Sequence, residues 1–186
     1  MTKPGGMGSV GKEELKPVSP AAGKGVTAIG DSVMLDIEPY LEKFLPGIVI
    51  DGEVGRQMSQ AKDIVAQLKA NGKLGDVLLL QLGTNGTFSE KTLVSLLQSL
   101  EDVRQIVLVN TRVPRPWESD VNAILSKTAA KFSNVTLVDW YTASANKDTY
   151  FAPDGVHLGA EGAKAYASLV AGAVKPKQEP SKKDGK

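Results

Sequence analysis

The 186-residue chain contains no cysteine and a single histidine. The absence of cysteine excludes a disulfide scaffold, a thiolate metal site and a cysteine nucleophile. With 22 Lys and Arg residues against 21 Asp and Glu residues, the net charge of +1 favours neither nucleic acid nor cations as a partner. Because no cluster of histidines or carboxylates has the spacing of metal ligands, we predict no metal. We expect no other cofactor either.

The chain also lacks long hydrophobic runs. No stretch approaches the roughly 18 apolar residues that a transmembrane helix needs, and no apolar run follows the first lysine as a signal peptide requires. We therefore expect the chain as given to be soluble. Its length suffices for one domain with a real core.

Both ends of the chain are rich in Gly, Pro, Lys, Glu and Ser and have almost no large apolar side chains. Such segments cannot offset the conformational entropy lost on folding. We predict a flexible linker, in part a cloning remnant, at residues 1 to 24, and a disordered tail at residues 175 to 186. The folded unit is then residues 25 to 174.

Short apolar runs alternate with helical periodicity inside this unit. Near-continuous apolar runs are typical of parallel strands covered on both faces, and they occur at residues 26–30, 48–52, 77–83, 105–110 and 135–139. Apolar residues at three-to-four-residue spacing predict the intervening helices. Pro39 interrupts any helix running from Ser32, so we expect a turn there and a helix over residues 39 to 44. Five such units predict an α/β fold, a three-layer sandwich around a five-stranded parallel sheet.

Ligands of such sheets bind at the carboxyl ends of the strands, where "GDS" and "APDGVHL" both fall. There Ser32 is a candidate nucleophile, His157 a candidate base that takes its proton, and Asp154 a candidate to fix the histidine tautomer. Two simpler interpretations remain open. Ser32 and its neighbour Asp31 could only cap a helix, and His157 could lie in a surface loop turned by Asp154 and Gly155.

Two further loops at the same edge could supply donors to an oxyanion. Gly55 could offer an unobstructed backbone N–H, and Asn85 a side-chain amide. The alternatives are an ordinary turn glycine and an Asn-Gly turn.

The segment "TRVPRPWE" is the remaining candidate for substrate contacts. Arg112 and Arg115 could hold carboxylate or carbonyl groups, and Trp117 could stack on a sugar ring. Alternatively, the arginines are solvated and Trp117 anchors the next helix to the core. We expect the other aromatics near the histidine to pack its loop rather than touch substrate; they are Trp140, Tyr141, Tyr150 and Phe151.

The order of these motifs resembles the four blocks of the SGNH (GDSL-like) hydrolase superfamily. The matching features are Gly-Asp-Ser after the first strand, a glycine after the second, Gly-x-Asn after the third and Asp-x-x-His before the last helix. The resemblance implies a flavodoxin-like fold, a triad of Ser32, His157 and Asp154, and an oxyanion hole of Ser32, Gly55 and Asn85. One position departs from the pattern: the third block is commonly Gly-x-Asn-Asp, and Gly86 stands in place of the final Asp.

Longer segments, among them "AIGDSVMLDI", "IDGEVGRQ" and "YFAPDGVHL", resemble the extracellular C-terminal domain of OatA-type bacterial peptidoglycan O-acetyltransferases. That resemblance implies a serine enzyme that moves acetyl to the C6 hydroxyl of N-acetylmuramic acid in peptidoglycan strands. It also implies a membrane-anchored parent protein, whose N-terminal membrane acyltransferase domain supplies the acetyl group. The implied location is the outer face of a bacterial membrane or the cell wall.

Two other functions stay open. A carbohydrate acetylesterase would use the same residues with water as the acceptor, and motifs alone do not separate the two reactions. A non-catalytic cell-wall module that binds glycan would keep the scaffold without the chemistry.

Overall fold

The computed structural model describes residues 18 to 177. These residues form a five-stranded sheet in the order β2-β1-β3-β4-β5, with every neighbouring pair parallel. The strands are β1 (Val26–Gly30), β2 (Val49–Gly52), β3 (Val77–Gln81), β4 (Gln105–Val109) and β5 (Val135–Val138). The predicted sheet is therefore confirmed, and its strands are up to two residues shorter than the apolar runs.

Within the described residues, six α-helices connect and cover the strands. They are α1 (Ser32–Phe44), α2 (Ala61–Ala70), α3 (Glu90–Gln98), α4 (Glu118–Ala129), α5 (Trp140–Ala143) and α6 (Ala160–Ala173), with single 3-10 turns at Met58–Gln60 and Asp148–Tyr150. Parallel strands require such crossovers, and helices on both faces give the doubly wound arrangement.

The core is divided by the sheet into two apolar layers. One layer packs α2, α3 and α4 on side chains such as Leu78 and Leu80. The other packs α1 and α6 on the alternate residues of the same strand, Val77 and Leu79. Because the central strands are buried on both faces, the three-layer α/β/α sandwich follows directly from their near-continuous apolar sequence.

The first helix corrects one prediction. It begins at Ser32 and continues through Pro39 to Phe44, whereas the sequence led us to expect a turn before Pro39. Pro39 lies on the exposed face, while the buried face packs on the sheet and on α6 through Val33, Met34, Ile37 and Leu41. Burial of that face outweighs the local cost of an internal proline, about 3 kcal/mol.

The ends of the described region pack onto the domain. Gly23, which the composition assigns to the linker, is buried, and its N–H donates to the carbonyl of Pro46 at 2.8 Å. Lys175, at the start of the predicted tail, donates its N–H to Oε1 of Gln105, also at 2.8 Å. The rest of the predicted linker and tail, residues 1–17 and 178–186, lies outside the described residues. Within residues 18 to 177, no helix has the length and apolar character to cross a membrane.

Candidate active site

The turn between β1 and α1 places Ser32 at the carboxyl edge of the sheet, at the point where the strand order reverses between β2-β1 and β1-β3. Asp31 caps α1: its Oδ1 accepts the N–H of Val33 at 2.9 Å. Gly30 has no room for a side chain, because a Cβ there would lie 2.4 Å from the Cβ of Met34. Ser32 is thus the first residue of the helix, where backbone N–H groups point outward.

Ser32 lies beside the only histidine of the chain. Nε2 of His157 is 3.1 Å from Oγ of Ser32, and Nδ1 of the same ring is 2.5 Å from Oδ2 of Asp154. The other oxygen of Asp154 accepts the backbone N–H groups of Val156 at 2.9 Å and His157 at 3.0 Å. The structure therefore brings the three predicted side chains into one hydrogen-bonded line.

The loop that carries His157 is held by its own backbone. Phe151 and Leu158 form an antiparallel bridge, and Ala152 donates its N–H to the carbonyl of His157 at 2.8 Å. A contact from the first helix fixes the loop further: Oδ2 of Asp36 accepts the N–H of Leu158 at 3.1 Å. Because Asp36 lies one helical turn after Ser32, the two halves of the site share one support.

The carboxylate and the imidazole shift each other's titration. The hydrogen bond from His157 lowers the pKa of Asp154 to about 2, with the Val156 N–H acting in the same direction. The hydrogen bond to Asp154 raises the pKa of His157, against a smaller opposing effect of burial. Asp154 therefore stays ionised at neutral pH, where it favours a proton on Nδ1 and leaves Nε2 free to accept one.

Gly55 and Asn85 lie in adjacent loops at the same edge. Gly55 sits in a turn closed by the N–H of Arg56 to the carbonyl of Glu53 at 3.3 Å, and its φ of 78° favours glycine. Nδ2 of Asn85 donates to the carbonyl of Arg56 at 3.2 Å. Although Gly86 stands where the superfamily commonly has Asp, Asn85 is thus anchored, and one of its two N–H groups is used to do so.

The chain is similar to known proteins over most of its length. Over 77% of its length the chain is 51% identical to the peptidoglycan O-acetyltransferase OatA of Listeria monocytogenes, of which the match covers 23%. The C-terminal catalytic domain of Streptococcus pneumoniae OatA, solved as a methylsulfonyl adduct, superimposes with a TM-score of 0.72 at 25% identity, over 80% of this chain and 90% of that one. Over the matched segment the chain is homologous to these OatA proteins, and it has the SGNH hydrolase fold.

The likeness to more distant structures shows the fold alone. A lipolytic G-D-S-L family protein of Veillonella parvula superimposes with a TM-score of 0.62 at 18% identity, over 80% of this chain and 96% of that one. No protein-family model matches the chain. The chain spans about a quarter of the length of the curated relatives that it matches.

The three residues that we considered for substrate contacts have protein partners. Nε of Arg112 donates to Oγ of Ser144 at 2.8 Å, and its guanidinium lies over the ring of Tyr141, 4.1 Å from the centroid. Trp117 packs on the core and donates Nε1–H to the carbonyl of Thr84 at 3.2 Å. Arg115 is exposed, with Nη1 donating to the carbonyl of Pro114 at 3.0 Å. A role of these side chains in binding substrate stays a prediction.

Three of the four aromatic side chains expected to pack the histidine loop form one cluster. Trp140 stacks on Tyr150 with ring centroids 5.9 Å apart and lies 6.2 Å from Phe151. Tyr141 points elsewhere, is 40% exposed, and pairs with Arg112 instead. Trp140 thus packs against Tyr150 and Phe151, where the histidine loop begins, whereas Tyr141 contacts Arg112 of the "TRVPRPWE" segment.

Three polar residues that the sequence did not single out also support the site. They are Asp36, described above, and the buried residues Arg56 and Gln81. Oε1 of Gln81 accepts the N–H of Asp31 at 3.2 Å, and Nε2 of Gln81 lies 3.4 Å from Oγ1 of Thr84. A polar residue ending an apolar strand was the available signal for Gln81. Among residues 18 to 177, no group of three or more His, Asp or Glu side chains could hold a metal ion.

Proposed function

We propose that the chain is the catalytic domain of a peptidoglycan O-acetyltransferase, with Ser32, His157 and Asp154 as its triad. The observation that carries the proposal is the line of contacts at 3.1 Å and 2.5 Å from Ser32 Oγ through the imidazole to Asp154. A homologue named for this activity supports the choice of reaction. A module that only binds glycan would have no need of this line.

The first half-reaction forms an acetyl-enzyme. Ser32 Oγ attacks the carbonyl carbon of an acetyl donor while Nε2 of His157 takes the hydroxyl proton. The tetrahedral intermediate then expels the donor's alcohol or thiol group, which receives the proton from Nε2. Asp154 stays ionised throughout, because its pKa of about 2 lies far below neutral pH, and it stabilises the transient imidazolium.

Three donors stabilise the negative oxygen of the tetrahedral intermediate in this scheme. The backbone N–H of Ser32 lies in the first turn of α1, where the helix dipole favours negative charge. The N–H of Gly55 and the second N–H of the Asn85 side chain complete the oxyanion hole. Such preorganised donors are commonly the largest single contribution to acyl-transfer catalysis.

The second half-reaction transfers the acetyl group to a sugar. The C6 hydroxyl of N-acetylmuramic acid attacks the acetyl-Ser32 carbonyl and gives its proton to Nε2 of His157. Collapse of the second intermediate releases the 6-O-acetyl sugar, and the proton returns to Ser32 Oγ. The cycle consumes neither oxidant nor metal, and acetyl is the only group transferred.

The open site favours hydrolysis as a second activity. The side chains of His157 and Asp154 are 46% and 44% exposed, so water can reach the acetyl-serine. A carbohydrate acetylesterase would arise from the same residues if water competes successfully with the sugar hydroxyl. We therefore expect both acetylated sugar and free acetate as products.

The greater length of the relatives suggests the cellular setting of this reaction. The relatives are about four times longer than the matched segment, so the activity of a whole protein need not reside in this domain alone. We propose a membrane-anchored parent whose N-terminal acyltransferase domain delivers acetyl groups to the outer face of the membrane. This domain would then pass them to glycan strands of the cell wall.

Product analysis tests the proposal. The purified domain is incubated with an activated acetyl ester and either muroglycan fragments or chitooligosaccharides, and acetylated sugar and acetate are quantified by mass spectrometry. We expect acetylated muroglycan that depends on Ser32 and His157. Release of acetate alone at all acceptor concentrations would identify an esterase, and no turnover with any ester would leave only a binding module.

A further inference from the structure

Arg56 is a buried charged residue between the ends of two strands at the site. Its side chain is 5% exposed. Nη1 donates to the carbonyls of Gly30 at 3.3 Å and Asp51 at 2.7 Å, and Nη2 contacts Oδ1 of Asp51 at 2.8 Å and Oε2 of Glu53 at 3.1 Å. One guanidinium thus joins the end of β1, two residues before Ser32, to the end of β2.

Stability alone does not account for a charge at this place. Removing a guanidinium from water is costly, and replacing a buried ion pair by well-packed apolar groups is often neutral or stabilising. Nε of Arg56 is buried with no hydrogen-bond partner among the described residues, which adds to the cost. The guanidinium of an arginine is a rigid, planar set of donors, so it fixes the distance between the groups that it bridges.

The backbone of Arg56 extends the link to both candidate oxyanion loops. Its N–H closes the turn that contains Gly55, and its carbonyl accepts Nδ2 of Asn85 at 3.2 Å. The next residue adds a weaker contact, from Nε2 of Gln57 to the carbonyl of Asn85 at 3.4 Å. Arg56 is therefore bonded to the strand that carries Ser32, to the Gly55 turn and to the Asn85 side chain.

We propose that Arg56 is a positioning residue that sets the distance between the nucleophile turn and the oxyanion donors. It touches neither substrate nor the reacting atoms and acts through Gly55 and Asn85. The inference rests on the oxyanion role proposed above for those two residues. Displacing a catalytic group by about 1 Å can cost roughly a hundredfold in rate, so a small shift of this brace is enough to matter.

The first test replaces the fork but keeps the charge. We expect Arg56→Lys to lower kcat about tenfold or more on a small acetyl ester, with KM and the midpoint of the pH profile unchanged, because the Ser32–His157 pair is intact. Arg104→Lys is the matched control. Nε of Arg104 binds Asp76 at 2.9 Å and Nη1 binds the carbonyl of Lys175 at 3.1 Å, at the opposite edge of the sheet. We expect that control to keep wild-type kcat even if its melting temperature falls equally.

A double-mutant cycle separates positioning from general loosening. If Arg56 acts through Asn85, adding Arg56→Lys to Asn85→Ala should lower kcat far less than it does in the wild-type chain. Equal factors in both backgrounds, or a kcat effect no larger than that of Arg104→Lys, would overturn the inference.

Further variants distinguish failure of the role of Arg56 from failure of the proposed oxyanion hole. If Arg56→Lys does not fold, Asp51→Asn weakens the same brace from the other side, and a folded Asp51→Asn variant with wild-type kcat would overturn the inference in that case. If Asn85→Ala itself leaves kcat unchanged, the proposed oxyanion hole fails, and with it the reason for a brace. If Asn85→Ala lowers kcat while Arg56→Lys behaves like its control, only the role of Arg56 is refuted.

Discussion

Oγ of Ser32 lies 3.1 Å from Nε2 of His157, although 125 residues separate them in the chain. Two hydrogen bonds support this proximity. The Asp31 cap starts α1 at the serine, and the Asp36 carboxylate on the same helix holds the backbone beside His157. The contact is therefore a property of one helix and the loop docked on it.

The rate of ester cleavage should titrate with His157. Because the hydrogen bond that His157 donates to Asp154 raises the pKa of His157 above its ordinary 6.5, the proposed base becomes protonated and inactive at a higher pH than a free imidazole would. We expect kcat/KM to rise with pH through a single midpoint above 6.5. A flat profile from about pH 5 to 8, or a midpoint below 6.5, would count against His157 as the base.

Replacing Asp154 by asparagine should change both the rate and this midpoint. The substitution removes the largest cause of the raised pKa, so the midpoint should move to lower pH. Loss of the ionised partner also destabilises the imidazolium and the correct tautomer, so we expect kcat to fall by about 10² to 10⁴. Asp148→Asn is the control: it changes an exposed carboxylate in the 3-10 turn that precedes this loop, and it should keep the wild-type pH profile. An unchanged midpoint in Asp154→Asn would contradict the assignment.

Asn85→Ala should lower kcat by about 10² to 10³ with little change in KM, since an oxyanion donor acts chiefly in the transition state. Asn134→Ala is a matched control. Nδ2 of Asn134 also donates to backbone carbonyls, those of Leu100 and Val103, but in the loop before β5. That variant should lose stability and keep kcat. A rise in KM with kcat intact would instead place Asn85 in ground-state binding.

Asp31 should limit stability at neutral pH. Burial raises the pKa of this carboxyl, and its Oδ2 is buried with no hydrogen-bond partner among the described residues. The folded state thus holds the proton more tightly, so the contribution of Asp31 to stability falls as pH rises from about 3.8, its ordinary value, through the raised pKa. Asparagine keeps the cap without the charge, so Asp31→Asn should be more stable than the wild type at pH 7.

Urea unfolding at two pH values tests this account of Asp31. The advantage of Asp31→Asn over the wild type should shrink near pH 4. Asp31→Ala should be less stable than Asp31→Asn by about 1 kcal/mol at either pH, because neither variant has the carboxyl and only alanine lacks the cap. If Asp31→Asn is as unstable as Asp31→Ala at pH 7, the carboxylate contributes more than its hydrogen bond to Val33, and the account is wrong.

The sheet and the placement of the candidate site could be predicted from the sequence. Apolar runs such as residues 77–83 can only be buried on both faces, and motif positions directly after such runs must meet at one edge. Ser32 and His157 could be paired on that reasoning. The course of α1 could not, because the local cost of Pro39 is visible in the sequence and the packing of Ile37 and Leu41 is not.

The supports of the site were the part that sequence could not reveal. Arg56 and Asp36 look like ordinary surface charges in the sequence, since their partners are backbone groups of residues far along the chain or in turns whose shape was unknown. Arg112 illustrates the converse, because a side chain suited to bind substrate has Ser144 and Tyr141 as partners. Hydrogen bonds to backbone carry no signature in residue type, so only three-dimensional geometry identifies them.

The most direct test of the central claim is to trap the acetyl-enzyme. The domain is mixed with an activated acetyl ester, quenched in acid within the first turnover, and analysed by intact mass and peptide mapping. We predict one added acetyl group, located on Ser32, that disappears when muroglycan acceptor is added before the quench. The Ser32→Ala variant should show none. An acetyl group of equal occupancy in Ser32→Ala, or one located on another residue of the wild type, would contradict the account.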